Sequence, residues 1–228
     1  MNSEATKYYS DYYQEVTNTG LVGIVARLTH ASLESKPFVR GSKFKAVKTS
    51  KKILEVGAGQ GQHFKYVKKN YDSYLMTDWR PELLPKISID PEISVSKDSI
   101  DAEKLPFQDN EFDRLVATCL LIHLQNPELA LQEWRRVVRD KGIITIYVPC
   151  ETGLFLRLLQ KLTTRKKQKR LGFNANYLHY TEHRYSYIYL LTIIKEIFGD
   201  SFSNVYSPFL IGGYEVNLWS VVTIQNVK

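Results

Sequence analysis

The chain has 228 residues, 43% hydrophobic and 24% charged, with a formal net charge of +7. That is enough to bury the core of one sheet without help from metals or disulfides, and no uncharged apolar run reaches the roughly 18 residues of a membrane span. Its two cysteines, Cys119 and Cys150, fall in or beside predicted strands, which favours reduced core thiols over a bridge or a metal pair.

Positions 1–50 read as two helical segments, 3–17 and 21–35, followed by a basic linker. They are expected to form a cap over the functional site. Tyr8, Tyr9, Tyr12 and Tyr13 repeat at helical spacing, which suits packing of that cap on the core, with a lid over a ligand as the alternative. His30 and Glu34 stand one helical turn apart and predict a surface pair, with a shared position facing the cleft as the alternative. The first residues are polar and rich in tyrosine, unlike a signal peptide, so a cytoplasmic location is expected.

Positions 53–62, ILEVGAGQGQ, run a short apolar strand into a turn with alternate glycines, Gly57, Gly59 and Gly61. Glycine accepts positive φ and lets the backbone approach a ligand closely. Glu55, two residues before the first glycine, would repel a pyrophosphate but suits a ribose diol or an ammonium group. A dinucleotide turn would need G-x-G-x-x-G with glycine at position 62, where this chain has Gln62. A helix is expected over 61–70, then a second strand over 74–77 ending at Asp78. Asp101-Ala102-Glu103-Lys104-Leu105-Pro106-Phe107 precedes a fourth strand over 115–118, running on through 119–124. Leu129, Leu131, Trp134, Val137 and Val138 predict an amphipathic helix over 126–138, with Pro127 in its first turn. Gly142 opens a fifth strand over 143–148. An insertion over about 151–200 carries helices near 153–161 and 187–198, and 205–209 and 215–223 read as the last two strands.

Taken in this order, over about residues 50–150, the landmarks resemble those of class I S-adenosylmethionine-dependent methyltransferases of the ubiquinone-biosynthesis and small-molecule type. Glu55, Gly57, Gly59 and Gly61 match E/D-x-G-x-G-x-G, Asp78 matches the acid at the end of strand two, and 101–107 matches D-A-x-x-L-P-F. The resemblance implies an α/β fold: a doubly wound, Rossmann-like, seven-stranded mixed sheet whose last two strands form an antiparallel edge hairpin. It divides the chain into a helical cap, 1–50, and a methyltransferase domain, 51–228. It also implies S-adenosyl-L-methionine as cofactor. Gly57, Ala58, Gly59 and Gly61 would line its methionine moiety, Glu55 would support that loop, Asp78 would hold the ribose, and Asp101 with Ala102 would read the adenine; Trp79 and Thr118 complete the set. Transfer of an activated methyl mainly needs a nucleophile held on axis, and such positioning can supply about 7–11 kcal/mol. A base helps a hydroxyl nucleophile, and His123, at the carboxyl edge of strand four, is the first candidate.

Family members usually keep acceptor-binding residues in the insertion, where this chain has His179, Tyr180, Glu182, His183, Arg184 and Tyr185. The segment resembles the EHR stretch of methyltransferases found near bacterial polysaccharide and O-antigen synthesis enzymes, which makes His179, Tyr180, His183 and Arg184 the expected acceptor contacts. A tyrosine-rich surface helix start, with His179 and His183 as exposed rings, is the competing expectation. The acceptor is expected to be a hydroxyl of a sugar, a glycan precursor or another small molecule. Base-amine methylases carry N/D-P-P-Y/F after strand four to grip a flipped base, and Thr118-Cys119-Leu120-Leu121 stands there instead. An RNA ribose or wobble-base methyltransferase, and a non-catalytic cofactor-binding regulator, stay open as alternatives. The histidines show no ligand spacing with cysteines and no G-x-S-x-G is present, so neither a metal site nor a serine hydrolase is expected. The run Arg165, Lys166, Lys167, Lys169 and Arg170 is either a solvated loop or a patch for an anionic partner such as a membrane surface, which would make the protein peripheral.

Overall fold

The computed structural model describes residues 20–35, 51–85, 92–96, 98–151, 153–163, 169, 181–210 and 212–228. The expected helix over 3–17, the tyrosines at 8–13, His179, Tyr180 and all of the basic run except Lys169 lie outside these. Seven strands form one sheet: β1 Lys52–Val56, β2 Ser73–Thr77, β3 Ile93–Val95, β4 Phe112–Thr118, β5 Val138–Pro149, β6 Phe202–Ser207 and β7 Trp219–Gln225, in the order β3-β2-β1-β4-β5-β7-β6. Neighbours from β3 to β5 pair in parallel, and β7 runs antiparallel between β5 and β6. This is the doubly wound, seven-stranded mixed sheet that the resemblance implies. The chain leaves β1 in one direction along the sheet and returns on its other side at β4, so the carboxyl ends of β1 and β4 frame the crevice where such sheets bind ligands.

Strand alternation sorts the side chains onto two faces. On one, Leu54, Val56, Leu115, Ala117, Ile144 and Ile146 form a single core with Trp134 and Val137 of helix α2, Pro127–Val137, and Leu190 and Ile194 of helix α4, Tyr187–Phe198. Helix α2 starts where the Asn126 side chain accepts from the Leu129 N–H at 3.2 Å, and the buried Trp134 ring donates its Nε1–H to the Ala102 carbonyl. On the other face, helix α1, Gly20–Ser35, sets Leu33 against Trp219 and Val221, and helix α3, Leu154–Leu162, adds Leu156 and Leu159 to that cluster. Among the described residues, no helix is long and apolar enough to cross a membrane.

Four expectations change. Over 61–70 the chain forms turns and one short 3-10 stretch, Phe64–Tyr66, instead of a helix. Strand β4 does not run on to residue 124: Cys119 takes φ +55°, which ends the extended run, and Leu121–His123 is a 3-10 turn. Strand β5 begins at Val138, directly after helix α2, rather than at Gly142. Glu215 and Val216, expected in the last strand, belong to the short helix α5, Gly213–Val216, and β6 starts earlier, at Phe202.

Candidate cofactor and acceptor site

The glycine turn leaves β1 at its carboxyl end. Gly57, Gly59 and Gly61 all adopt positive φ. At Gly57 a Cβ would lie 2.8 Å from the Leu120 side chain, and at Gly61 it would lie 2.8 Å from Pro85. Here the chain's own packing excludes a side chain, in addition to whatever a ligand requires. Asp78, just past β2, ties the turn down: the Gly59 N–H donates to its Oδ2 at 2.9 Å and the Arg80 N–H to its Oδ1 at 2.8 Å. A carboxylate oxygen has two acceptor sites, so each retains capacity for a further donor. The Ile100 N–H donates to the Asp78 carbonyl at 3.0 Å, which brings Asp101 and Ala102 alongside. Asp101 Oδ1 accepts from the Glu103 N–H at 2.9 Å. Trp79 presents an exposed ring beside Asp78, and Thr118 closes β4.

Glu55 does not line this opening. It is fully buried, its Oε2 accepts from the Tyr74 hydroxyl at 2.7 Å, and its Oε1 has no hydrogen-bond partner among the described residues. Burial raises its pKa above the ordinary carboxylate value, against the pull of His63 and the Tyr74 hydrogen bond. The sequence reading, an acid facing a diol or an ammonium group, gives way to an acid beneath the turn.

A second cluster lies beyond the carboxyl ends of β4 and β5. His123 is partly buried, and its Nδ1 donates to the Glu182 carbonyl at 3.0 Å, which leaves Nε2 as the basic nitrogen of the neutral ring. Its ring meets His183 edge to face at 4.8 Å. His183 Nδ1 makes a short hydrogen bond to Glu151 Oε2, two residues past the end of β5. His183 is therefore partly buried and paired, not an exposed ring. The Arg184 N–H donates to the Ile122 carbonyl, which fixes the 182–184 segment to the turn after β4, while the Arg184 side chain lies at the surface. Cys119, in the same turn, is held protonated by burial and by the nearby Glu151, its pKa pushed up to about 12.

Residues 54–146 match the model of a methyltransferase domain. The chain is 34% identical over 121 residues to an uncharacterized methyltransferase of Schizosaccharomyces pombe, covering 47% of this chain and 41% of the relative. It is 30% identical over 112 residues to an uncharacterized protein of Mycobacterium tuberculosis, covering 47% and 40%. It thus spans about two fifths of the length of these curated relatives. Residues 54–146 form a class I methyltransferase domain. Solved structures agree in fold. A chain from the complex of the Haloferax volcanii Trm112 methyltransferase activator with its methyltransferase superposes with TM-score 0.65 at 12% identity, covering 100% of both chains. A Thermotoga maritima S-adenosylmethionine-dependent methyltransferase gives 0.60 at 16%, covering 97% and 95%.

The cofactor of such a domain is S-adenosyl-L-methionine. The residues present fit it: two carboxylates, Asp78 just past β2 and Asp101 in the β3–β4 connection tied to it, have acceptor capacity for hydroxyl and amine donors, beside a turn with backbone close to the opening.

Beneath the methyltransferase domain's glycine turn sits a buried ionic group that the sequence does not announce. Glu34 of α1 takes a two-pronged contact from Arg114 of β4, at 2.8 and 3.1 Å, and its Oε1 also meets His63 Nε2 at 3.0 Å. His30 lies 5.6 Å from the His63 ring. The expected surface pair of His30 and Glu34 is an inward one, because their face of the helix meets Arg114 of β4 and the Phe64–Tyr66 turn, where the His30 ring stacks on Tyr66. Burial pushes the Glu34 carboxyl up, but the His63 hydrogen bond and the Arg114 charge outweigh it and hold the pKa at about 2.

Acid sensitivity follows. Burial lowers both His30 and His123 to about 3, with His63 adding to the effect on the first and His183 on the second. An unfolded chain protonates such rings near pH 6.5. Their contribution to stability is therefore complete above that value and is lost as pH falls through the window down to about 3. Each ring costs up to about 1.4 kcal/mol per pH unit in that window. Glu34, depressed below its ordinary 4.5, contributes stability above that value and loses it as pH falls towards about 2. Thermal melting is expected to fall steadily from neutral pH downward, with a shallower slope in His30→Phe; a flat profile would refute the neutral buried rings.

Proposed function

We propose that this chain transfers a methyl group from S-adenosylmethionine to a hydroxyl of a sugar, glycan precursor or other small molecule in a cytoplasmic setting. The observation that carries the choice of a hydroxyl is the His183–Glu151 pair, joined through His123 to the turn that follows β4. A hydroxyl becomes a good nucleophile only as its proton leaves, and an imidazole whose Nδ1–H is held by a carboxylate is suited to take it.

The cofactor, when bound, supplies a sulfonium methyl open to in-line displacement. Asp78 would accept from the ribose hydroxyls, Asp101 and the backbone at Ala102 would meet the adenine, the exposed Trp79 ring offers it a stacking face, and Gly57, Ala58, Gly59, Gly61 and Thr118 would flank the methionine part. His183 Nε2 would take the proton of the acceptor hydroxyl, with Glu151 fixing the tautomer through Nδ1. His123, held down near 3 by burial, is a poor base and acts by positioning His183. Glu55, beneath the turn, supports the backbone of the loop.

The test is methyl incorporation from radiolabelled S-adenosylmethionine into a panel of sugars and small hydroxyl compounds, with RNA as a further acceptor. His183→Asn and Glu151→Gln should lower kcat by roughly a hundredfold or more, with cofactor affinity unchanged. Incorporation into RNA alone would replace this reading with the nucleic-acid one. Tight cofactor binding without transfer to any acceptor would favour a regulatory protein.

A further inference from the structure

Among the described residues, helix α3 is covered on one side only. At 100° per residue, Leu154, Phe155, Leu158 and Leu162 share one arc, and the three leucines are exposed to 72%, 57% and 55%. Leu156 and Leu159, across the helix, pack against the Trp219 and Val221 cluster. Phe209 meets the Phe155 ring edge-on at 5.7 Å, and Leu210 follows it; both are exposed. Scattered exposed leucines need no account, but a joined group of six large apolar side chains does.

Charge narrows the occupant. Arg157 and Lys161 are exposed on the flank of this stripe, and between Glu151 and Glu182 the sequence has seven Lys and Arg and no Asp or Glu. A second copy or an apolar protein groove would satisfy the leucines and leave the cations unmatched. A nucleic acid would satisfy the cations and leave the leucines in water. An anionic bilayer surface answers both, with apolar side chains in the acyl boundary and Lys and Arg at the headgroups. We propose that α3, together with Phe209 and Leu210, seats this protein on an anionic lipid bilayer. The surface stands independently of the methyl-transfer reading. Because α3 begins three residues after Glu151, docking would hold the acceptor side of the site close to the lipid.

Sedimentation of the full chain with vesicles of phosphatidylglycerol and phosphatidylcholine, against phosphatidylcholine alone, tests it. The chain should pellet with the anionic vesicles and be released at high salt. The double variant Leu158→Gln, Leu162→Gln and the double variant Arg157→Glu, Lys161→Glu should each weaken partition about tenfold or more. Calorimetric binding of S-adenosylmethionine to both variants verifies that they are folded, and its failure in the parent chain would count against the cofactor reading alone. The proposal falls if the parent chain stays in the supernatant with anionic vesicles, or if the leucine variant partitions as the parent does. It falls equally if light scattering shows a dimer that the leucine variant splits, or if RNA binds the parent and the leucine variant equally while vesicles do not.

Discussion

Asp78→Ala is expected to weaken S-adenosylmethionine binding about a hundredfold or more in calorimetry, without unfolding the chain. The carboxylate serves the site twice, by anchoring the Gly59 and Arg80 amides and by offering its remaining acceptor sites to the ribose. Hydrogen bonds to a charged group contribute about 1.5–3 kcal/mol each, so losing two reaches at least two decades in affinity. Asp78→Asn separates the roles. Its amide oxygen can still accept from Gly59, while its NH2 removes the second acceptor, so intermediate affinity is the expected result. Unchanged affinity in Asp78→Ala would reject the ribose assignment.

Glu34→Ala should be the most damaging single change to stability, at about 3–5 kcal/mol, because it strands Arg114 in the interior without its counter-charge. Both side chains are nearly inaccessible, at 10% and 7%, so water cannot replace the lost contact. Urea unfolding of the variant gives the number directly. Replacing the pair together, Glu34→Leu with Arg114→Met, should recover most of the loss, since removing both charges also removes the cost of burying them. A Glu34→Ala variant as stable as the parent would show that the pair contributes nothing net.

The sheet was legible in the sequence because its signals are local. An apolar run into alternate glycines, an acid at the next strand end and a 3.6-residue apolar period with Asn126 and Pro127 at its start each define their own element. What failed to show depends on partners far along the chain. The stretch 61–70 has residues compatible with a helix, but Gly61 is held at positive φ under Pro85 and the segment settles into turns. The apolar run after β4 reads as strand until Cys119 turns it, and nothing in its composition records the φ change. Glu34 looks like a solvated acid until Arg114 and His63 arrive from 80 and 29 positions away. Glu151 had a usable cue: a carboxylate just past the carboxyl end of a strand predicted to border the site. His183, picked out for the EHR resemblance, gains its meaning only from that partner.

Helix α2 passes into β5 with no loop between them, and the carbonyls at that junction are gathered by one side chain, Asn226, whose Nδ2 donates to Val138 at 2.7 Å and to Arg135 at 2.9 Å. The closing contact comes 88 positions after Val138. In a chain emerging from the ribosome, β1 to β5 can pair while the rest is still being made, but this corner stays unlatched until the far strand arrives. Nascent molecules of this design would pass through a half-assembled stage with the β5 border open, the stage at which chaperones would find them.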